Sequence, residues 1–309
     1  MYEVFFMKYS IIDGRLTEFD ENKNVDAIVE TVKYSKGEIP QINDKKKQAI
    51  LNNIFTGTHS RFESYSDCDV ICLNLIDIEK CVTEHIPVYV ILEKDKISFY
   101  TTQPDYIEGM FRKIMHEPSQ NITADCLLYH FMNKLIFGDL VHLEEIERKL
   151  SALETNAFSG CTDKTFSKQI LNIKKHLMWI ELYYEQLINL IADIIQNDNR
   201  FLCDSTIKSF NMLDSKIDRL DAKTEHLLNY ASEIRSAYQA EVDLQLNKSM
   251  KVLTVISVII LPLTLIVGWF GMNFKMPEYS YAYSYPILIV VCIAIVVGLI
   301  AFFKKNKWF

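Results

Sequence analysis

The sequence predicts an α+β domain, then a long helical stalk, then two C-terminal membrane-spanning helices. Three observations carry this. The first ~120 residues mix strand-like and helical patterns, residues from Ala124 onward read as helix almost without interruption, and the C-terminal part holds two long uncharged apolar runs. The boundaries follow as 1–122 for the α/β domain, 123–250 for a helical hairpin and stalk helix, and 251–309 for a two-span membrane domain.

Charge divides the chain in the same place. Of 309 residues with a net charge of −7, residues 1–243 hold 27 Lys/Arg and 39 Asp/Glu, whereas residues 244–309 hold six Lys and only Glu278. An acidic body therefore precedes a basic, apolar tail. Nucleic acid is a poor partner for such a body, because that binding needs a basic surface. Seven scattered cysteines, without a CxxC pair, fit a reducing compartment better than a disulfide framework. The N-terminal "MYEVFFMKYS" has neither the basic region nor the apolar core of a signal peptide and reads as a first strand.

Within the α/β domain, "DVICLNLID" and "IPVYVILEKDKISFYTT" are rich in β-branched and aromatic residues, with "EKDK" as a hairpin turn. "VDAIVETVKYS" and "KKKQAILNNIF" show helical spacing instead. Helices are expected at about 124–158 and 164–197, with "SGCTD" between them, and a third starts near Asn199 and need not stop before the membrane. Along that third helix Leu213, Ile217, Leu220, Thr224, Leu227, Ala231, Ile234 and Tyr238 alternate by fours and threes. This is a coiled-coil-like seam that needs packing partners over its length. Beside it, Asp214, Asp218, Asp221 and Glu225 share one face. That stripe is either a solvated helix face or a surface that attracts hard divalent cations through carboxylate oxygen.

Val252 to Phe270 is 19 residues without a charge, about 28 Å as a helix. Pro286 to Phe303 is a second run of 18, about 27 Å. Lys248 and Lys251 flank the first run and Lys304, Lys305 and Lys307 follow the second, whereas loop 271–285 has one Lys and one Glu. The positive-inside rule puts both termini in the cytoplasm and the short loop outside. Tyr279, Tyr281, Tyr283 and Tyr285 suit an interfacial aromatic belt.

One face of the first span is small or weakly polar: Asn247, Met250, Leu253, Ser257, Leu261, Thr264, Gly268 and Gly271 recur every three or four residues. Two readings stay open, tight helix packing through small residues and an aqueous path with apolar constrictions at Met250, Leu253 and Leu261. Two helices cannot enclose a water-filled hole, so a pore requires several copies around an axis. Symmetry would then turn Asn273, at the rim of the span, into a ring of amide oxygens. Such a neutral ring could hold Mg2+ through its reluctantly released waters without the grip of carboxylates. Enzyme chemistry lacks its parts: there is no GxxxxGKS loop, GxGxxG turn or HExxH pair. The seven histidines show no ligand spacing and read as surface or capping residues.

The stretch "NKSMKVLTVISVIILPLTLIVGWFGMNFKMPE" resembles the signature of the CorA family of magnesium transporters, and "KKNKWF" resembles its basic C-terminal end. The Gly-Met-Asn triplet is short. Joined to the upstream Asn-x-x-Met-Lys-x-Leu-Thr, the mid-span Pro262 and the two-span topology, it is highly specific. The close match covers residues 247–309, and "ITADCLLYHFMNKLI" is a further matching fragment. The resemblance implies a funnel-shaped homopentamer in the inner cell membrane that carries Mg2+, and also Co2+ or Ni2+, without an organic cofactor. It implies a selectivity filter at Gly271, Met272 and Asn273 and a pore lined by Asn247, Met250, Leu253, Ser257, Leu261, Thr264 and Gly268. Leu261 departs from the methionine of some members, and Ser236 stands where some have a stalk aspartate. The family closes when cytoplasmic Mg2+ binds acidic residues between subunits, for which Asp214, Asp218 and Asp221 are the candidates here. Lys304, Lys305 and Lys307 resemble its basic collar, interrupted by Asn306. The alternatives are Zn2+ transport, as in the related ZntB branch, which commonly changes the residue at Met272, and a non-conducting membrane-anchored cation sensor or scaffold.

Overall fold

The computed structural model describes residues 6–19, 25–35, 45–54, 60–76, 78, 85–116, 121–158, 165–272, 283–306 and 308. The chain forms two compact units, Met1–Leu153 with Lys164–Glu233, and Glu154–Asp163 with Ile234–Phe309.

The first unit is built on a seven-stranded sheet. Its strands are β1 (Phe6–Ile12), β2 (Arg15–Glu18), β3 (Ala27–Lys33), β4 (Arg61–Tyr65), β5 (Cys68–Leu75), β6 (Ile86–Glu93) and β7 (Lys96–Thr101). Their spatial order is β2-β1-β3-β7-β6-β5-β4, with every pairing antiparallel except β3 with β7. The Lys94-Asp95 turn joins β6 to β7 where "EKDK" predicts it. Phe99 meets Phe111 and Phe131, each at 5.0 Å between ring centroids, so α2 (Pro104–Met115) and α3 (Ala124–Leu135) close over the sheet. A second cluster gathers Val32, Tyr34, Cys72, Tyr89 and Leu51, the last from α1 (Lys45–Ile54).

The β1–β2 turn shows why a glycine stands at its second position. Gly14 has φ +68°, and a Cβ there would lie 2.6 Å from the Asn121 Cα. The approach is that close because the Ile122 N–H donates to the Gly14 carbonyl at 2.8 Å.

Three expectations need correction. "VDAIVETVKYS" forms β3, not a helix. The strand is interior, between β1 and β7, and Ala27, Val29, Thr31 and Val32 are all buried. Burial alternates along it, but the apolar Ile28 and Val32 on the less covered face disguise the period-two pattern in the sequence until it imitates a helix. The expected helix 124–158 is two helices, α3 and α4 (Asp139–Phe158), broken at Gly138, whose φ of +101° no right-handed helix accommodates. The third long helix starts at Asp204, later than expected. α5 (Phe166–Gln196) ends on Asn197 at φ 51°. That residue's amide donates to the Leu202 carbonyl at 2.9 Å, and its oxygen accepts the Leu202 N–H at 3.0 Å, which holds the corner open for several residues before α6 (Asp204–Phe270) begins. "SGCTD" lies outside the described residues.

The predicted seam is the spine of this unit. Leu213, Ile217, Leu220, Thr224, Leu227, Ala231 and Ile234 are all buried, and Tyr238 is half-buried. The helix is also held laterally. The Lys216 ammonium donates to Asn133 at 3.0 Å, Lys223 pairs with Glu147 at 2.5 Å, and Lys174 of α5 donates to Ser232 at 2.8 Å. At its start, Asp125 of α3 accepts the Cys203 N–H at 3.0 Å.

In the second unit, α6 and α7 (Ser284–Lys305) are both long and apolar enough to cross a membrane. Tyr283 and Tyr285 are exposed, as a belt requires, whereas Tyr279 and Tyr281 lie outside the described residues.

Candidate functional site

In the membrane part of α6 the shielded residues are Val255, buried, and Ile259, Pro262, Leu263, Ile266 and Phe270, half-buried. On α7 they are Ser284, Leu288, Cys292, Ile295, Val296, Leu299 and Phe303. Each set lies along one helical stripe, the face that each span turns toward the rest of its unit. The other positions are exposed, and the predicted pore-lining set falls among them without exception: Asn247, Met250, Leu253, Ser257, Leu261, Thr264, Gly268 and Gly271. At about 100° per residue, Met250 to Gly271 of that set fall within roughly 40° of one direction. The shielded stripe centres on the opposite side of the helix.

The polar groups of this exposed face are prepared for an apolar surrounding. The Ser257 hydroxyl donates to the Leu253 carbonyl at 2.9 Å, and the Thr264 hydroxyl donates to Ile260 at 3.0 Å. Their hydrogens are thus committed, and their oxygen lone pairs are left to accept from a donor such as water on a hydrated cation. Pro262 lacks the N–H that would close its turn of helix. It sits on the shielded side, half-buried. Gly271 ends the helix, its N–H bonded to the Val267 carbonyl at 2.9 Å, and Met272 follows, exposed. Asn273 and Lys307 lie outside the described residues. Lys304 and Lys305 close α7 and are exposed.

The acidic stripe lies in the first unit. Asp214 and Asp221 are half-buried and Asp218 and Glu225 exposed. One Oδ1 atom each of Asp214 and Asp221 is fully covered without a hydrogen-bond partner. Burial, and then the charge of Asp218, holds the Asp214 carboxyl above its usual range. Burial, then Glu225, Asp218 and Glu185, does the same to Asp221. Two members of this group were missed in the sequence reading: Glu181 and Glu185, on α5. Burial, then Asp221, Glu225 and Glu185, raises Glu181. Their i, i+4 spacing was visible, but the pairing of α5 with α6 that brings them to the stripe is a long-range contact. No single-chain group of three or more ligands is placed to hold a metal among the described residues. A cation on this stripe would therefore take further ligands from elsewhere.

One histidine departs from the surface-or-cap reading. His176 is half-buried, its Nε2 bonded to the Ile78 carbonyl at 2.8 Å, with its ring 5.4 Å from that of His142.

Comparison with known proteins identifies the family and the fold. A family model described as CorA-like Mg2+ transporter protein matches residues 38–305. The cobalt/magnesium transport protein CorA of Thermotoga maritima is 28% identical over 186 residues, 60% of this chain and 53% of that protein. Among solved structures, the complete CorA magnesium transporter from Methanocaldococcus jannaschii superposes with a TM-score of 0.77 at 15% identity, covering 100% of both chains. The ZntB cytoplasmic domain from Vibrio parahaemolyticus superposes with a TM-score of 0.60 at 12% identity, covering 77% of this chain and 97% of that one. At these identities the structural likenesses establish the fold.

Proposed function

The chain belongs to the CorA-like Mg2+ transporter family, a family of transporters and not of enzymes, and on that premise we propose that it takes up Mg2+ through a homopentameric, funnel-shaped pore. Co2+ and Ni2+ are the further substrates. The observation that carries this reading is the opposition of faces on α6: the whole predicted pore face is exposed in the single chain, and the shielded stripe lies across the helix from it. A lipid-facing helix has no reason to keep Ser257, Thr264 and Gly268 on one line, whereas the inner helix of a ring does.

In the proposed mechanism, Asn273 of each copy contributes an amide oxygen to a ring at the outer mouth, with Gly271 and Met272 completing the filter. The ring accepts hydrogen bonds from the waters of a hydrated Mg2+, an ion that dehydrates reluctantly. Farther in, the Ser257 and Thr264 oxygens take over those waters. Leu261, Leu253 and Met250, exposed at 74%, 63% and 63%, form rings that close by dewetting. The inside-negative potential drives uptake, at about 2.3 kcal/mol per charge per 100 mV and twice that for a divalent ion. On this reading the protein sits in the inner cell membrane with both termini cytoplasmic, and Lys304, Lys305 and Lys307 form a basic collar. Mg2+ on the cytoplasmic side would bind Asp214, Asp218 and Asp221, of which Asp214 and Asp221 each offer a covered, unpartnered oxygen suited to a hard cation, and so favour closure.

Cysteine accessibility tests the face assignment. In a background without native cysteines, Ser257→Cys is expected to give a pore blocked by Cd2+ or a charged thiol reagent, and Ile259→Cys an unaffected one. Block at both positions, or at Ile259→Cys alone, would overturn the assignment.

A further inference from the structure

Four lysines mark the basic end of the two spans. Lys248, Lys251, Lys304 and Lys305 are all exposed, and none makes an ion pair among the described residues. Beyond Asp243 the only carboxylate side chain in the sequence is Glu278, in the loop at the opposite end of the spans. Their directions are informative. By the same ~100° per residue, Lys248 and Lys251 point about 120–180° away from the pore face of α6. Lys304 and Lys305 point roughly 120–140° away from the shielded face of α7. Lys248 and Lys251 are aimed away from the pore direction, Lys248 toward the side of α6 that is shielded farther along the helix, and all four lysines are exposed. Trp308 folds back on the end of α7. Its N–H donates to the Phe303 carbonyl at 3.1 Å, its ring lies 5.4 Å from the ring of buried Phe303, and it remains 39% exposed. An amphipathic ring at the end of a span that carries exposed ammoniums is what an anionic headgroup layer accommodates.

We propose that anionic phospholipid headgroups are the bound counter-charge of the exposed Lys248, Lys251, Lys304 and Lys305, at the end of the spans where Trp308 folds back on α7. This rests on the reading that α6 and α7 span a bilayer, but not on which ion passes. The headgroups join the basic ends of the two spans through a shared layer of negative charge. The collar is thereby neutralised from the lipid side, and its field on a cation leaving the pore is weakened.

The test uses the full chain in vesicles, with Trp308 as the only tryptophan (Trp179→Phe, Trp269→Phe) and quenching by brominated lipids as the readout. Phosphatidylglycerol is expected to displace phosphatidylcholine at Trp308 with a relative affinity of at least about threefold at low salt. That preference should fall to about one with K248Q/K251Q/K304Q/K305Q, and also near 0.5 M salt, where screening shortens to a few ångströms. A chain with Trp269 alone, at the other end of α6, should show no preference. Should the fourfold variant fail to assemble, the salt titration of the lysine-bearing chain decides by itself. Quenching at Trp308 by both lipids without preference overturns this proposal and leaves the transport reading standing. Quenching by neither contradicts the spanning reading as well. Lipid preference in a chain that passes no Mg2+ supports this proposal while overturning the transport reading.

Discussion

The two halves of α6 bury opposite amounts of themselves. From Leu213 to Ile234 every seam position is buried within the chain. From Val252 to Phe270 only Val255 is, although that stretch is the more apolar of the two. The first half meets the hydrophobic effect with its own chain: α3, α4 and α5 supply the partners, and charged tethers such as Lys223–Glu147 and Lys174–Ser232 hold the register. The second half leaves that task to lipid on one side and, on the reading given above, to other copies and water on another. Burial in a single chain thus measures different things along one helix. In the first half it reports folding stability, and in the second the exposed line of small and weakly polar residues is the surface that the proposed pore would use.

The largest expected effect sharpens this contrast. Leu227→Ala, at a position with no exposure, should cost about 2–5 kcal/mol of stability, read as a lowered thermal midpoint in detergent. Leu261→Ala, 74% exposed, should leave that midpoint within about 0.5 kcal/mol and change ion passage instead. Equal losses at both sites would break the comparison.

A second effect, of at most about 3 kcal/mol, belongs to the buried pair under the α4 start. Asp139 is 7% exposed and accepts the Tyr184 hydroxyl at 3.0 Å. Burial, opposed by that hydrogen bond, pushes its carboxyl up to about 6. Because the folded value lies above the unfolded one, the contribution is fully present below about pH 4 and is lost as pH rises through about 6. Asp139→Asn keeps an acceptor for Tyr184 and removes the titration. Its denaturation midpoint is expected to lack the decline that the parent chain shows across that window. Parallel pH profiles would remove Asp139 as the cause.

The smallest effect on stability concerns the acidic stripe. Replacing Asp214, Asp218 and Asp221 together by Asn removes carboxyls that are half-buried or exposed, so less than about 1 kcal/mol is at stake. The functional effect is the informative one: the internal Mg2+ concentration that halves ion flux should rise severalfold. An unchanged midpoint would leave the stripe as a solvated helix face.

How much of this was legible depended on whether the information was local. The α6 seam and both spans were readable because a three-four alternation and an uncharged run are complete within one segment. The hairpin at Lys94-Asp95 was local too. β3 was misread because its partners, β1 and β7, decide its burial, and the apolar Ile28 and Val32 on its less covered face disguise the alternation. The break at Gly138 was obscured by the strongly helical patterns on either side, although a glycine followed by an acidic residue is an ordinary helix stop and start. The convergence of Glu181 and Glu185 on the stripe, and the meeting of Tyr184 with Asp139, join residues far apart in the chain. No periodicity in either segment announces them. The pore face was legible as a line, and the shielded stripe across the helix needed the structure.

The most direct test of the central claim is Mg2+ influx into proteoliposomes under an inside-negative potential, comparing the parent chain with Asn273→Ala at low internal Mg2+. The account predicts rapid influx through the parent chain and its loss in the variant while the oligomer stays intact. Equal influx through both would contradict the asparagine ring, and no influx through the parent chain would contradict Mg2+ transport itself.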